Sequence, residues 1–399
     1  MAAGLLLALW TVLPVAARDL YVGGANASDT NPGSADRPYA TIQEAIYDAY
    51  PGDRILVRDG VYTERLVLTR SGEPDARIVL RSINKHGAKI DVDFDHAIEI
   101  DGKSYIDILR FEITNAFDRD YNGTGIHIND SHHIRVRSNF VHGCGGNGIS
   151  ATSSDTIRIE NNDVYNNSLY SRWQTSGISI FKPKPHPGSR DWGIVVAGNR
   201  SWGNTHTVPR ISDGKVTDGN GIIVDNTLNR TELDIDGDNV AYDRWILVEN
   251  NFCWDNLGAG VTAYASTKVR FRNNSCYRNN AGNVTGQGEL TVGSSADIQF
   301  INNIAIAGGD GYKVAVEYLS ENVEWSHNLM NNGANHGATL WNTKWAWAGF
   351  VDPRNGDLHL KANSPAIAAG TANWGRAKKD IDGTKRPTNV LPTIGADHR

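Results

Sequence analysis

The chain has 399 residues, 40% of them hydrophobic and 21% charged, with a net charge of −6. This length suffices for one large core or two domains. The negative balance argues against a general nucleic-acid binder, and three cysteines (Cys144, Cys253 and Cys276) are too few for a disulfide framework.

Residues 1–17, MAAGLLLALWTVLPVAA, read as a secretory signal peptide, leaving 18–399 as a single domain. No later run approaches the ~18 apolar residues of a membrane span. The expectation is a secreted, extracellular protein, monomeric, with no membrane or nucleic-acid partner. Asn26, Asn122, Asn166, Asn229, Asn273 and Asn283 each open an N-x-S/T triplet, which agrees with secretion and glycosylation.

Ala40–Tyr50, ATIQEAIYDAY, has apolar residues at helical spacing and is expected to cap one end of the fold. Short strands follow, RILVRDGVY (54–62) and RIVLRS (77–82). Then a repeat begins. Asn139, Asn162, Asn199, Asn251, Asn274, Asn303 and Asn328 recur in similar settings, at intervals of 23, 37, 52, 23, 29 and 25. An alternating stretch such as IRIE, ILVE or VRFR precedes most of them. A second strand opens at a glycine in GIHIND, GISATS, GISIFK, GIIVDN and GVTAYA. Short strands, glycine turns and an asparagine column at this period predict an all-β, right-handed parallel β-helix. Its coils would stack about 4.8 Å apart, with the asparagines hydrogen-bonded along the column. The Pro/Gly-rich tail from Gly356 to Arg399 reads as a loop-rich C-terminal cover, and Trp341, Trp345 and Trp347 would be either packing for it or sugar platforms.

The register predicts further columns. Cys253 and Cys276 fall one above the other, within disulfide reach, and would be either a disulfide or two buried thiols. His142, Tyr165, Trp202, Trp254 and Tyr277 form an aromatic column. The outward positions of the GIxIx strands are His127, Ser150, Ser179, Ile223 and Thr262. Beside them run Asn129, Thr152, Phe181, Asp225 and Tyr264, then Asp130, Ser153, Lys182, Asn226 and Ala265 at the bend. This is a polar strip that suits a sugar chain lying across several coils.

Two intervals, 37 and 52, exceed the regular coil by roughly 14 and 29 residues. They flank the coil carrying TDGNGIIVDN (Thr217–Asn226), and long loops on a rigid repeat commonly carry function. The first stretch is basic: Arg172, Lys182, Lys184, Arg190, Arg200, Arg210 and Lys215, with His186 and His206, stand against Asp191 and Asp213. The second is acidic, with Asp225, Glu232, Asp234, Asp236, Asp238 and Asp243 against Arg230. Either the two loops pair with each other, or the first walls a cleft for a polyanion, for which an acidic polysaccharide is the fitting partner. Asp234, Asp236 and Asp238 alternate around a glycine and make a candidate calcium site; no other cofactor is expected.

SGISIF (Ser176–Phe181), TDGNGIIVDN and ILVENNFCWDNLGAGV (Ile246–Val261) resemble the β-helix polysaccharide lyases of uronic-acid polymers, most of all the alginate-lyase type, polysaccharide lyase family 31. The opening YVGGANASDTNPGSADRPYATIQEA is similar to β-helix lyases in general. Family-nine pectate lyases have a similar strand with a catalytic lysine two residues after the second glycine. Ile223 stands there, and that family's calcium-binding aspartates have no counterpart, so that mechanism is not carried over.

The alginate-lyase resemblance implies a tyrosine and a lysine as catalytic pair. Lys215 matches the lysine. Phe181 stands where the strand would carry the tyrosine, and Tyr264 on the next coil substitutes by position. A lyase must neutralise the uronate carboxylate, remove the C5 proton and protonate the leaving O4. The expected roles are Lys215 as base, Lys182 as alternative base and Tyr264 as acid. Arg172, Lys184, His186, Arg210, Asn220, Asp225, Asn226 and His127 would bind substrate. Alternatives are a glycoside hydrolase using Asp213, Asp218 and Asp225, whose carboxyls the basic surroundings would keep ionised, a uronate C5-epimerase, or a non-catalytic carbohydrate-binding protein. Asp218 has a second reading as a turn cap.

Overall fold

The computed structural model describes residues 16–117, 123–187, 192–229 and 240–398. The calcium candidates Asp234, Asp236 and Asp238 lie outside these residues, as do residues 1–15 of the expected signal peptide and Asn122.

One coil illustrates the rest. Thr124–Asn129 lies in a first sheet, His132–Arg137 in a second and Phe140–His142 in a third; Ile149–Thr152 then re-enters the first. Repetition builds sheets of ten, twelve and eleven parallel strands among the described residues. Stacking is in register. Ile126, Ile149, Ile178, Ile222, Val261 and Leu290 form one inward column, all fully buried. Burial of each such side chain contributes about 1.5–3 kcal/mol, which one coil alone could not obtain.

The corner between the first and second sheets is a single residue in the left-handed region. Asp130, Ser153, Lys182, Asn226, Ala265, Ser294 and Leu319 occupy it, with φ between 44° and 54°. Positive φ is therefore the ordinary geometry of this corner rather than local strain at any one of them.

The asparagine column is a ladder as expected. Each amide donates to the next from Asn139 through Asn328, at 2.9–3.1 Å. A second ladder, Asn167–Asn204–Asn256–Asn279, runs beside it and ends on the buried carboxyl of Glu289. Its spacing, five residues after the first asparagine in four coils, is present in the sequence but was not among the predicted columns.

The helix Ile42–Asp48 is capped by Thr41, whose hydroxyl accepts from the Glu44 amide. Ile42, Ala45 and Ile46 are buried by this cap. The tail covers the helix along its side rather than its end. Phe252, Trp254, Ile304, Ile306 and Leu329 face outward from the eleven-stranded sheet and pack against Phe350, Leu358, Leu360 and Ile394. That apolar outer face needs burial, which sets the place of the cover. Trp341, Trp345 and Trp347 remain exposed.

Cys253 and Cys276 are register partners, and both are buried free thiols. The aromatic column stacks from His142 through Tyr165 and Trp202 to Trp254, at 4.9, 4.4 and 4.6 Å. Asn273 and Asn229 are buried, and the Asn273 amide donates to Thr393 and Gly395, so in this fold neither side chain can take a glycan. Asn26, Asn166 and Asn283 are exposed.

Candidate active site

The insertions wall one sheet. Residues 166–177 and 203–221 lead into the ten-stranded sheet, and 182–193 and 226–245 leave it, so loops rise at both ends of Ile178–Phe181 and Ile222–Asp225. Part of the expected polar strip is buried: Ser150, Ile223 and Thr262 point outward yet are 3%, 6% and 2% exposed. The TDGNG turn is fastened from both sides. The Thr217 amide donates to Gln174, and Gln287 donates to the Thr217 carbonyl.

Two carboxyls define the electrostatics. Burial, with the Asp225 charge adding, pushes Asp218 up to about 8 against a hydrogen bond from Asn220 and the charge of Arg210. Burial raises Asp225 to about 7, against the nearby Lys182 charge. Both residues keep a partly exposed edge. The expectation that basic surroundings would keep these acids ionised is therefore corrected: desolvation outweighs the cations. Asp213 behaves oppositely. Arg210 donates to both its oxygens, at 2.9 and 2.5 Å, and holds it down at about 2.

Tyr264 is the register partner of Asp225 and is 46% exposed. Gly293 pairs with Tyr264 and, on its other side, with Tyr318. Burial and the charges of Tyr264, Asp218 and Asp225 raise the Tyr318 hydroxyl, which puts Tyr318 in the same cluster. Sequence reasoning missed Tyr318, although it lies in the Asp225–Tyr264 column. Lys182 occupies the corner beside Phe181, with its ammonium 5.9 Å from that ring. Arg210 feels the charges of both Asp218 and Tyr264.

The other candidates lie as follows. Lys215 is exposed; its amide donates to Asp213 and its carbonyl accepts from the Arg210 amide. Arg172 and Lys184 are exposed on the two walls. Asn220 is fully buried, donating to Ser176, accepting from the Ala259 amide and hydrogen-bonding Asp218, so it holds that carboxyl rather than facing a substrate. Asn226 is 2% exposed in its corner. His127 stacks on His96 at 4.1 Å, contacts Ser150 Oγ at 2.8 Å and is pushed down to about 4 by burial. His206 is likewise buried and held at about 4, so it adds no charge to the cleft. His186 turns away from the groove and stacks on His132 of the twelve-stranded sheet. Sequence order could not show this, because the loop bearing His186 crosses the corner between two sheets.

A separate cleft of about 1190 Å³ lies between the twelve-stranded sheet and the C-terminal cover. Two of its cations are committed: Arg272 pairs with Glu249 at 2.5 Å, and Arg270 sits over both Trp192 and Trp245, at 5.1 and 5.2 Å. It lacks the paired raised carboxyls of the groove.

The fold and the groove together define a right-handed parallel β-helix with one walled, ionisable face. The chain belongs to the Pel9A-like right-handed β-helix family, whose profile matches residues 20–291. The crystal structure of pectate lyase Pel9A is similar over 96% of this chain and 97% of that one, with TM-score 0.58 and 17% identity. An alginate lyase from Paenibacillus sp. str. FPU-7 is similar over 82% of this chain and 98% of that one, with TM-score 0.50 and 15% identity. Comparison with curated proteins gives no match. The family shown is thus the Pel9A-like one, and these identities establish a shared fold.

A calcium ion takes six to eight oxygen ligands. The described carboxyls brought together in the groove, Asp218 and Asp225, offer at most four such oxygens, fewer than that set. Ile223, 6% exposed, has no basic group. No step is therefore routed through calcium.

Proposed function

We propose that this protein is a secreted polysaccharide lyase that cleaves a 4-linked uronic-acid polymer by β-elimination, of the alginate or glucuronan kind. The observation that carries this reading is the pair of raised carboxyls, Asp218 and Asp225, beside the exposed Tyr264 and the corner Lys182. A protonated carboxyl can donate to the uronate carboxylate, and with Arg210 it would neutralise that charge and acidify the C5 proton. Lys182 takes the C5 proton. A C4–C5 double bond forms, the C4–O4 bond breaks, and the Tyr264 hydroxyl protonates the leaving oxygen. Lys182 is preferred to Lys215 as base because it lies near Asp225, whereas Lys215 lies beside the ion-paired Asp213. Arg172, Lys184 and Lys215 would hold carboxylates of neighbouring sugars. Secretion is supported by the apolar leader of residues 1–17.

The test is ultraviolet absorbance of the unsaturated uronate on polymannuronate, polyguluronate, polyglucuronate and polygalacturonate, with and without chelator. A rise on one polymer is expected and names the substrate. The same raised carboxyls also favour a second reading, a glycoside hydrolase with Asp218 and Asp225 as acid and base. New reducing ends without the ultraviolet product would select it and sink the lyase.

A further inference from the structure

His132, His133 and His186 converge on the far side of the corner from the groove. In an extended strand, consecutive side chains point to opposite faces. His133 has φ 56°, and this left-handed turn brings both neighbouring imidazoles together, with their Nδ1 atoms 2.8 Å apart. The His186 ring lies 3.6 Å from that of His132 and 6.1 Å from that of His133. One ring nitrogen of each lies within 4.8 Å of the other two, and all three residues are half-buried.

The third ligand is held in place. Pro185 and Pro187 flank His186 and restrict its backbone. Its amide donates to Asp155 at 2.7 Å, and its carbonyl accepts from Arg244 at 2.6 Å. Its Nδ1 is buried and makes no hydrogen bond among the described residues. A buried, unsatisfied ring nitrogen is costly unless something fills its lone pair or takes its proton. Arg77 and Arg244 face the cluster as cations, and Asp155 opposes them.

We propose that His132, His133 and His186 bind one imidazole-seeking transition-metal ion, zinc above all, which fastens the Lys182–Pro187 loop to a strand two coils away. Three histidines with a fourth position open to water are an ordinary zinc arrangement. The ion would be structural, holding the wall that carries Lys182 and Lys184, and does not depend on the lyase reading.

The experiment uses full-length, tag-free protein stripped with EDTA, titrated with Zn²⁺ by calorimetry and with Co²⁺ by visible absorption. One equivalent is expected in wild type, with a tetrahedral Co²⁺ spectrum and a zinc-dependent rise in Tm. His186→Ala and His132→Gln should each weaken binding at least about 100-fold. Circular dichroism checks that both are folded. His359→Ala, in the separate His359–Asp382–Asp397 group, should leave the equivalent intact. No zinc bound by wild type, retention in both folded variants, or loss in His359→Ala instead would each overturn the proposal.

Discussion

Tyr318 lays its ring across Gly293, so closely that a methyl group at residue 293 would come within 2.2 Å of the ring's Cζ and 2.4 Å of its hydroxyl. Gly293 stands in the column between Tyr264 and Tyr318. The missing side chain therefore lets a tyrosine from two coils away lean toward Tyr264, Asp218 and Asp225.

Gly293→Ala should displace that ring. The clashing atoms are the far end of a movable side chain, so the stability loss should stay below about 1 kcal/mol. The kcat/KM should fall about tenfold, equivalent to ~1.4 kcal/mol of transition-state stabilisation. Melting curves and initial rates check this. Unchanged rates in both Gly293→Ala and Tyr318→Phe would remove Tyr318 from the site.

Tyr264→Phe removes the hydroxyl assigned to the leaving oxygen. Turnover should drop about 100-fold or more, as for loss of a general acid. The Kd for the oligosaccharide, measured by calorimetry, should barely change. Parallel losses of affinity and rate would mark a binding residue instead.

The raised carboxyls set a pH dependence. Asp218 and Asp225 stand at about 8 and about 7 when folded, above the ~4 of an unfolded aspartate. Between these values the native state binds more protons than the unfolded one, so stability falls as pH rises from about 4 to about 8 and then levels. Tm measured across that range should show this slope, and it should flatten in Asp218→Asn and Asp225→Asn. Lyase activity should fall over the upper part of the same window, as the neutralising protons are lost.

Asp155 joins the bases of both outgoing loops. Its buried carboxylate accepts from Tyr242 at 2.5 Å, Arg244 at 2.8 Å and the His186 amide. Asp155→Ala leaves Arg244 only the longer, exposed contact to Asp243 at 3.9 Å and strips the Tyr242 hydroxyl and His186 amide of their acceptor, and should cost about 3–5 kcal/mol in denaturant unfolding. A loss below about 1 kcal/mol would show that the loops are anchored elsewhere.

The repeat was open to reading because each coil must carry the same local chemistry. The ladder asparagines, the left-handed corners and the inward Ile178–Ile180 and Ile222–Val224 pairs are properties of short segments, and stacking copies them. The chain order alone thus determined the β-helix, the coil boundaries, the Cys253–Cys276 pairing position and the loops around TDGNGIIVDN. Burial and direction across loops are different. They depend on what several separate segments bring to one point. Only the tertiary structure could show that Asn220 spends its amide inside the fold, that His186 leaves the groove for His132, and that Arg210 neutralises Asp213 while desolvation keeps protons on Asp218 and Asp225. Coulombic and solvation energies follow distance in space rather than in sequence, so the ionisable face of the groove was decided where the walls closed over it.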